Sequence, residues 1–312
     1  MLENLAIVFP GQGSQYIGMG KDFYDSFDLV KKYFDMMNEI KGSDLKSLIF
    51  SGDPDLLRET DNAQVAIYTL SSAIFSLLRE EGIIPKFLAG HSLGEYSAIA
   101  SSEILSFEDC LKLVSKRGGF LKEASNKNIG KMVAVLGISS DKIESIVKDL
   151  NILGEKIEVA NYNSPSQTVC SYLGNDENFK IIEEKFLSSG AKRVVKLNVT
   201  GSFHSSFMNM ASEKLSVELK KYQLSSPKIP VVFNYNASCE TDIDKIKNLM
   251  INQVNHSVKW VETVKFFVKN GINTILEVGP GKVLSGLNKK IDSSLKVFNI
   301  EKKDDFLSFI KS

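Results

Sequence analysis

A serine flanked by two glycines stands in the stretch whose residues could most directly do chemistry. Residues 90–94 read Gly-His-Ser-Leu-Gly, which fits G-x-S-x-G, a pattern in which a sharp strand-to-helix turn exposes a serine hydroxyl. Glycine suits such a turn because a Cβ there would clash. The N–H groups at the start of the following helix suit an oxyanion that forms beside the serine. We therefore predict a nucleophilic Ser92, in preference to a serine that merely caps a helix.

A serine hydroxyl needs a base to take its proton, and the chain has three histidines, His91, His204 and His256. His91 adjoins the serine, and consecutive side chains leave a turn in different directions, so it is poorly placed. His256 lies just before a predicted helix and is interpreted as a surface or capping residue. Elimination favours His204, which follows the serine in the chain order of α/β-hydrolases. No acidic partner can be chosen, because many carboxylates lie between Ser92 and His204.

Alternating strands and helices are predicted to position these residues. A short apolar strand at 5–9 leads into a loop with Gln12 between two glycines, whose backbone N–H groups could approach a ligand closely. This loop lacks the third glycine of a dinucleotide-binding fingerprint, because Tyr16 stands in that place. Another apolar strand precedes the serine turn, and strands at 231–233 and 274–278 continue the alternation. This order predicts an α/β-hydrolase-like core with a mostly parallel sheet.

Two long helices are predicted around the serine turn. One covers residues 63–81 and ends near Gly82, and a segment that resembles a capping box, residues 106–109, opens the other. The second helix is expected to end at Gly118-Gly119, which places Arg117 at or near a helix end. An arginine there usually just complements the helix dipole, and position alone favours that interpretation over a ligand-binding role.

The pattern changes between about residues 130 and 198. Strands and helices are predicted there in the order β-α-β-β-α-β, the split arrangement of ferredoxin-like folds. We therefore predict a small ferredoxin-like subdomain, residues 129–198, inserted into a large α/β catalytic domain made of residues 1–128 and 199–312.

Composition excludes several classes of protein. The chain has 312 residues, 43% of them hydrophobic and 24% charged, with a formal net charge of zero. Without a basic tract, a nucleic-acid binder is not expected. No apolar run approaches membrane-spanning length, and no signal-peptide pattern is seen. The three cysteines are too few and too far apart for a disulfide framework or a zinc site. We expect a soluble cytoplasmic protein.

Seven motifs, in order along nearly the whole chain, resemble those of the malonyl-CoA:acyl-carrier-protein transacylases and related polyketide acyltransferase domains. They are Phe-Pro-Gly-Gln-Gly-Ser-Gln at 9–15, Gly-His-Ser-Leu-Gly-Glu-Tyr at 90–96, Lys-Arg-Gly at 116–118, Met-Val-Ala-Val-Leu-Gly at 132–137, Asn-Tyr-Asn-Ser-Pro at 161–165, Gly-Ser-Phe-His-Ser at 201–205 and Glu-Val-Gly-Pro-Gly at 277–281. The number and order of these motifs make the resemblance far more specific than any one pattern.

The resemblance implies a catalytic role for four residues. Ser92 would attack the malonyl thioester, and His204 would act first as general base and then as general acid. Backbone N–H groups of Gln12 and Leu93 would form the oxyanion hole.

The resemblance further implies that Arg117 grips the malonyl carboxylate in a bidentate pair. Gln253 would orient the histidine through its backbone carbonyl. Phe203 would favour malonyl over methylmalonyl units because its ring would crowd an α-methyl group, and His91 is expected among the substrate-binding residues.

The implied reaction is ping-pong transfer of malonyl from a coenzyme A thioester to the phosphopantetheine thiol of an acyl carrier protein, which would supply chain-extension units for fatty-acid synthesis. The resemblance implies no cofactor and no metal, and we expect a monomer. Three alternatives stay open: a trans-acting acyltransferase of polyketide synthesis, a serine esterase or phospholipase of related fold, and a non-catalytic module that binds carrier proteins.

Overall fold

The structure is a computed structural model and describes residues 4–311. Within them, nine strands alternate with helices: β1 (Leu5–Phe9), β2 (Phe87–Gly90), β3 (Gly130–Leu136), β4 (Lys156–Ser164), β5 (Gln167–Leu173), β6 (Arg193–Lys196), β7 (Val231–Val232), β8 (Thr274–Val278) and β9 (Lys296–Ile300).

The α-helices of the described residues are α1 (Lys21–Ser26), α2 (Asp28–Lys41), α3 (Leu45–Ser51), α4 (Pro54–Arg58), α5 (Thr60–Glu80), α6 (Gly94–Ser101), α7 (Phe107–Lys127), α8 (Ser140–Ile152), α9 (Asp176–Ser188), α10 (Asn209–Leu219), α11 (Ile243–Asn255), α12 (Trp260–Lys269), α13 (Val283–Ile291) and α14 (Lys303–Ile310). None of these helices combines the length and the apolar character that crossing a membrane requires.

A parallel sheet in the order β7-β2-β1-β8-β9 forms the larger part of the molecule, and every ladder in it is parallel. All residues of β1, β2 and β8 are buried, as expected for apolar strands covered on both faces by helices. The pairing of Phe9 with Gly90 brings the carboxyl ends of β1 and β2 together. The Gln12 loop and the serine turn, which follow these two ends, therefore meet at one edge of the sheet.

A second, antiparallel sheet has the order β4-β5-β3-β6. Helices α8 and α9 contribute Ile146, Leu150 and Phe186 to a separate apolar cluster with its strands. The mixed α/β class, the parallel sheet and the β-α-β-β-α-β order are thus confirmed. That residues 129–198 form a separate subdomain stays a prediction.

The predicted end of the arginine-bearing helix is wrong. Helix α7 continues through Gly118 and Gly119 to Lys127, so Arg117 lies in its middle. Gly118 serves close packing instead of termination: a Cβ added there would lie 2.8 Å from the Cα of Asp61 in α5. The glycine lets these two helices approach, and the dipole interpretation of Arg117 no longer applies.

Candidate active site

The turn that carries Ser92 is as tight as its glycines suggest. A Cβ added at Gly90 would lie 1.9 Å from the carbonyl carbon of Gly94, and one added at Gly94 would lie 2.1 Å from the carbonyl oxygen of Phe9. Ser92 itself adopts a left-handed φ of 52°, which an L-residue keeps only when its surroundings hold it there. The result is a half-buried serine between β2 and α6.

Ser92 and His204 form a hydrogen-bonded pair, with 2.7 Å between Oγ and Nε2. The Nδ1 atom of His204 lies 2.8 Å from the backbone oxygen of Gln253. Because a carbonyl oxygen only accepts, Nδ1 carries the proton and Nε2 is left to accept the serine proton. Burial, helped by the positive charge of Arg117, lowers the pKa of His204 to about 3. The arrangement therefore holds a neutral imidazole on a serine hydroxyl.

Gln253 contacts three residues of the site from the last turn of α11. Its backbone oxygen accepts from His204, its Nε2 donates to the backbone oxygen of Ser92 at 2.6 Å, and its Oε1 accepts from Arg117 at 3.1 Å. Gln253 is 1% exposed, so water does not compete strongly for these bonds.

Arg117 is a buried cation that retains free donors. It is 2% exposed, and its guanidinium donates to Oε1 of Gln64 at 2.7 Å and to Oε1 of Gln253 at 3.1 Å. Its Nε has no hydrogen-bond partner among residues 4–311, and the guanidinium carbon lies 5.2 Å from the ring centroid of Tyr96. Burial lowers the pKa of Arg117, but an arginine stays charged in proteins. A buried guanidinium held by neutral amides is suited to a carboxylate ligand.

The Gln12 loop lies directly against the serine turn. A Cβ added at Gly11 would lie 2.5 Å from the backbone oxygen of His91, so only glycine allows this approach. The Gln12 side chain lies 3.4 Å from Thr60 Oγ1 and 3.4 Å from Gln64 Nε2. Leu93, fully buried, follows Ser92 at the start of α6.

A cleft of about 230 Å³ joins these groups, and it is lined by the loops that follow β1 and β2 and by strands of the second sheet. Its lining includes Ser92, His204, Arg117, Gln12, Phe203 and His91, together with apolar side chains of the second sheet such as Met132 and Val169. Every side chain predicted for the site therefore borders it or directly contacts a residue that does, apart from Leu93, whose expected contribution is a backbone N–H.

His91 is turned toward Asn163 instead of the serine. Its Nε2 lies 2.9 Å from Asn163 Oδ1, which accepts from it, and burial lowers its pKa. His256 is exposed and follows α11, with Nδ1 3.0 Å from the backbone oxygen of Asn252. The histidine that bonds to Ser92 Oγ is therefore His204.

Three residues that contact the site were not singled out from the sequence: Gln64, Asn163 and Asn234. Gln64 and Asn234 are neutral amides that bond to Arg117 and to the Ser92 backbone, respectively, and no local sequence signal marks such contacts. Asn163 lies within the Asn-Tyr-Asn-Ser-Pro motif, so the sequence marks this position without indicating what the residue does.

Among the described residues, no cluster of three or more His, Cys, Asp or Glu side chains could hold a metal ion.

The chain is similar to known proteins over nearly its whole length. Residues 6–300 match the family model described as an acyl transferase domain. The malonyl CoA-acyl carrier protein transacylase of Bacillus subtilis is 40% identical over 299 residues, which cover 96% of this chain and 94% of that protein.

Solved structures are similar over almost the whole chain. An acyl carrier protein S-malonyltransferase from Vibrio cholerae has a TM-score of 0.94 at 34% identity, and the match covers 98% of this chain and 100% of that one. A malonyl-transacylase solved in complex with its type II PKS acyl-carrier protein has a TM-score of 0.95 at 32% identity, with 99% of each chain covered.

Proposed function

The chain belongs to the acyl transferase family, and from this membership we propose that it transfers a malonyl group from malonyl-CoA to the phosphopantetheine thiol of an acyl carrier protein. One observation carries the proposal. The hydrogen-bonded pair of Ser92 and His204, 2.7 Å apart, borders the same cleft as the buried guanidinium of Arg117. A nucleophile with its base, beside a carboxylate-binding cation, matches an acyl donor that carries a free carboxylate.

In the first half-reaction, the Oγ of Ser92 attacks the thioester carbonyl of malonyl-CoA while His204 Nε2 takes the hydroxyl proton. The new C–O bond gives a tetrahedral oxyanion, which we assign to the backbone N–H groups of Gln12 and Leu93. The C–S bond then breaks, and the coenzyme A sulfur leaves with the proton from His204.

In the second half-reaction, the phosphopantetheine thiol of the carrier protein gives its proton to His204 and attacks the malonyl-serine ester. A C–S bond forms, the C–O bond to Ser92 breaks, and the serine oxygen regains the proton. Gln253 holds the imidazole in one tautomer through both steps because its backbone oxygen keeps the proton on Nδ1.

Arg117 and Phe203 are proposed to select the acyl group. The guanidinium has N–H donors beyond the two that bond to Gln64 and Gln253, and these can bind the malonyl carboxylate in a bidentate pair. The Phe203 ring lines the cleft and would crowd a methyl group on the α-carbon. His91 lines the same cleft and is proposed to border the bound acyl chain.

The carrier protein defines a second candidate function. Similarity to a transacylase solved with its type II PKS acyl-carrier protein favours the same chemistry with a polyketide carrier. In both cases all the groups that the reaction uses belong to one chain, so the proposal needs neither a second copy nor a cofactor.

The three cysteines, Cys110, Cys170 and Cys239, are free thiols, which fits the proposed cytoplasmic location.

Intact-mass spectrometry tests the proposal. The protein is incubated with malonyl-CoA, and an acyl carrier protein bearing phosphopantetheine is then added. We expect a malonyl-sized adduct that is absent from Ser92→Ala and that passes to the carrier. An adduct that decays to free malonate with or without carrier would instead identify a hydrolase, and an adduct on Ser92→Ala would remove Ser92 as the nucleophile.

A further inference from the structure

Asn234 makes three hydrogen bonds to the segment that carries the nucleophile. This side chain is fully buried and lies just after β7. Its Nδ2 donates to the backbone oxygen of Gly90 at 2.6 Å, and its Oδ1 accepts from the backbone N–H of Ser92 at 2.8 Å. Its own backbone N–H donates at 2.6 Å to Oε2 of Glu95, a buried carboxyl on α6. The same asparagine therefore bonds to the strand, the turn and the helix around Ser92.

The side chain of Asn234 continues a parallel ladder beyond the end of its strand. Strand β7 pairs with β2 only at Leu88 and Ala89. In a parallel ladder, one residue donates to a carbonyl and accepts from an N–H that lie two residues apart on the neighbouring strand. The Asn234 amide does this with the oxygen of Gly90 and the N–H of Ser92. The Asn234 side chain thus makes the two bonds that a backbone residue of the ladder would make, at the point where β2 has ended and the serine turn has begun.

Together with Gln253, this amide fixes both peptide planes that flank Ser92. The Ser92 N–H belongs to the preceding peptide and is bonded to Asn234, whereas the Ser92 carbonyl belongs to the following peptide and is bonded to Gln253 Nε2 at 2.6 Å. Rotation about φ and ψ moves these planes. Each amide therefore restrains one of the two torsions that keep Ser92 in its left-handed conformation, with φ of 52°.

We propose that Asn234 is a positioning residue for acyl transfer, holding Ser92 in the left-handed conformation that puts its Oγ on His204. The inference rests on the proposed function only for the identity of the acyl donor. Without the Asn234 amide, the Ser92 N–H loses its acceptor, and φ relaxes toward the negative values that L-residues prefer. Relaxation moves Oγ off His204 Nε2 and turns the Leu93 N–H, because that N–H lies in the plane of the Ser92 carbonyl.

Asn234→Ala and Asn234→Asp test this role against Asn151→Ala as the control. Asn151 also bonds backbone donors and acceptors, at Val147 and Ile157, but lies on α8. For Asn234→Ala we expect acylation by malonyl-CoA to slow about 100-fold, the effect of a misplaced reacting group, with KM nearly unchanged and the control within about twofold of wild type.

The pH dependence of acylation by Asn234→Asp distinguishes a positioning role from a merely structural one. A protonated aspartic acid offers one acceptor and one donor, as the amide does, whereas an aspartate offers acceptors only. Its acylation rate relative to wild type should therefore rise as the pH is lowered, while that of Asn234→Ala stays low at every pH. If Asn234→Ala acylates at the wild-type rate, or if the two variants remain equally impaired at every pH, the inference is wrong.

A serine-directed reagent separates this inference from the proposed function. Phenylmethanesulfonyl fluoride reacts with an activated serine without needing a malonyl group, and intact mass measures the rate. Slow sulfonylation of Asn234→Ala, with rapid sulfonylation of wild type and Asn151→Ala, supports the positioning role even if wild type takes up no malonyl group. Equal sulfonylation of all three proteins overturns it.

Discussion

Replacing Arg117 with alanine should abolish the preference for malonyl over acetyl donors while leaving a residual acylation activity. Malonyl differs from acetyl by a free carboxylate, and the buried guanidinium of Arg117 lines the cleft that Ser92 and His204 border. Each hydrogen bond to a charged group contributes about 1.5–3 kcal/mol, so a bidentate pair contributes at least about 3 kcal/mol. At 1.4 kcal/mol per factor of ten, the malonyl-to-acetyl ratio of kcat/KM should fall at least about 100-fold.

The ratio is the right quantity because the substitution also has effects that both substrates share. Truncation leaves Oε1 of Gln64 and Oε1 of Gln253 without their donor, and an unpaired buried acceptor costs about 1–3 kcal/mol. Gln253 also bonds to the Ser92 backbone, so acylation by either donor should slow. Dividing one kcat/KM by the other cancels this common loss.

The assay measures coenzyme A release and the acyl-enzyme mass from malonyl-CoA and acetyl-CoA in parallel. Arg79→Ala is the matched control, because Arg79 is an exposed arginine paired with Glu103 and should leave the ratio unchanged. If Arg117→Ala lowers kcat/KM for both donors by the same factor, the guanidinium does not bind the malonyl carboxylate and its role is structural.

Three further predictions follow from the buried groups. Burial lowers the pKa of His204 to about 3, so the imidazole stays neutral between about pH 5 and 8. We therefore expect kcat/KM for acylation to be independent of pH over that range. A profile that rises with the pKa of an ordinary histidine, near pH 6.5, would contradict the lowered pKa. Burial raises the pKa of Glu95 from 4.5 to about 8, so the native state keeps a proton that the unfolded chain releases. The stability that Glu95 contributes is therefore present below its unfolded pKa and lost as the pH rises toward 8. Over that range, urea unfolding should show the wild type losing stability relative to Glu95→Gln. A constant difference in unfolding free energy between the two proteins would contradict the raised pKa of Glu95. Phe203→Ala should raise the ratio of methylmalonyl to malonyl acylation about tenfold, the usual effect of one methyl group on selectivity, and an unchanged ratio would show that the ring does not border the α-carbon.

The sequence predicts those parts of the site whose conformation is determined by residues close together in the chain. The serine turn follows from Gly90 and Gly94, because each glycine is required by contacts within the turn or with the adjacent strand. That the Gln12 loop lies near this turn is implied in the sequence only by the family resemblance. The structure supplies the reason, because β1 and β2 are neighbouring parallel strands whose carboxyl ends share an edge. Short-range patterns of glycine and apolar residues therefore suffice for the serine turn, but not for the loops that meet it.

The parts that escape prediction depend on residues far apart in the chain. The sequence predicts that Gly118 ends a helix, yet in the structure it permits contact with Asp61 on another helix. A glycine in a sequence does not by itself distinguish these two roles. Gln64 and Asn234 are amides like many others in the chain, and only the packing of α5 and β7 brings them to Arg117 and Ser92. Side-chain amides that bond to a buried charge or a turn leave no periodic signal.

The sequence marks no acidic partner for His204, and the structure gives the reason. Its partner is the backbone oxygen of Gln253, and every residue has a backbone oxygen, so no residue type marks this role in a sequence. The side chain of Gln253 has a different task, because one amide both donates to the Ser92 carbonyl and accepts from Arg117. An aspartate or glutamate at this position would lack the donor that holds Ser92. A neutral amide meets both demands, which explains why the residue whose backbone oxygen accepts from His204 is a glutamine.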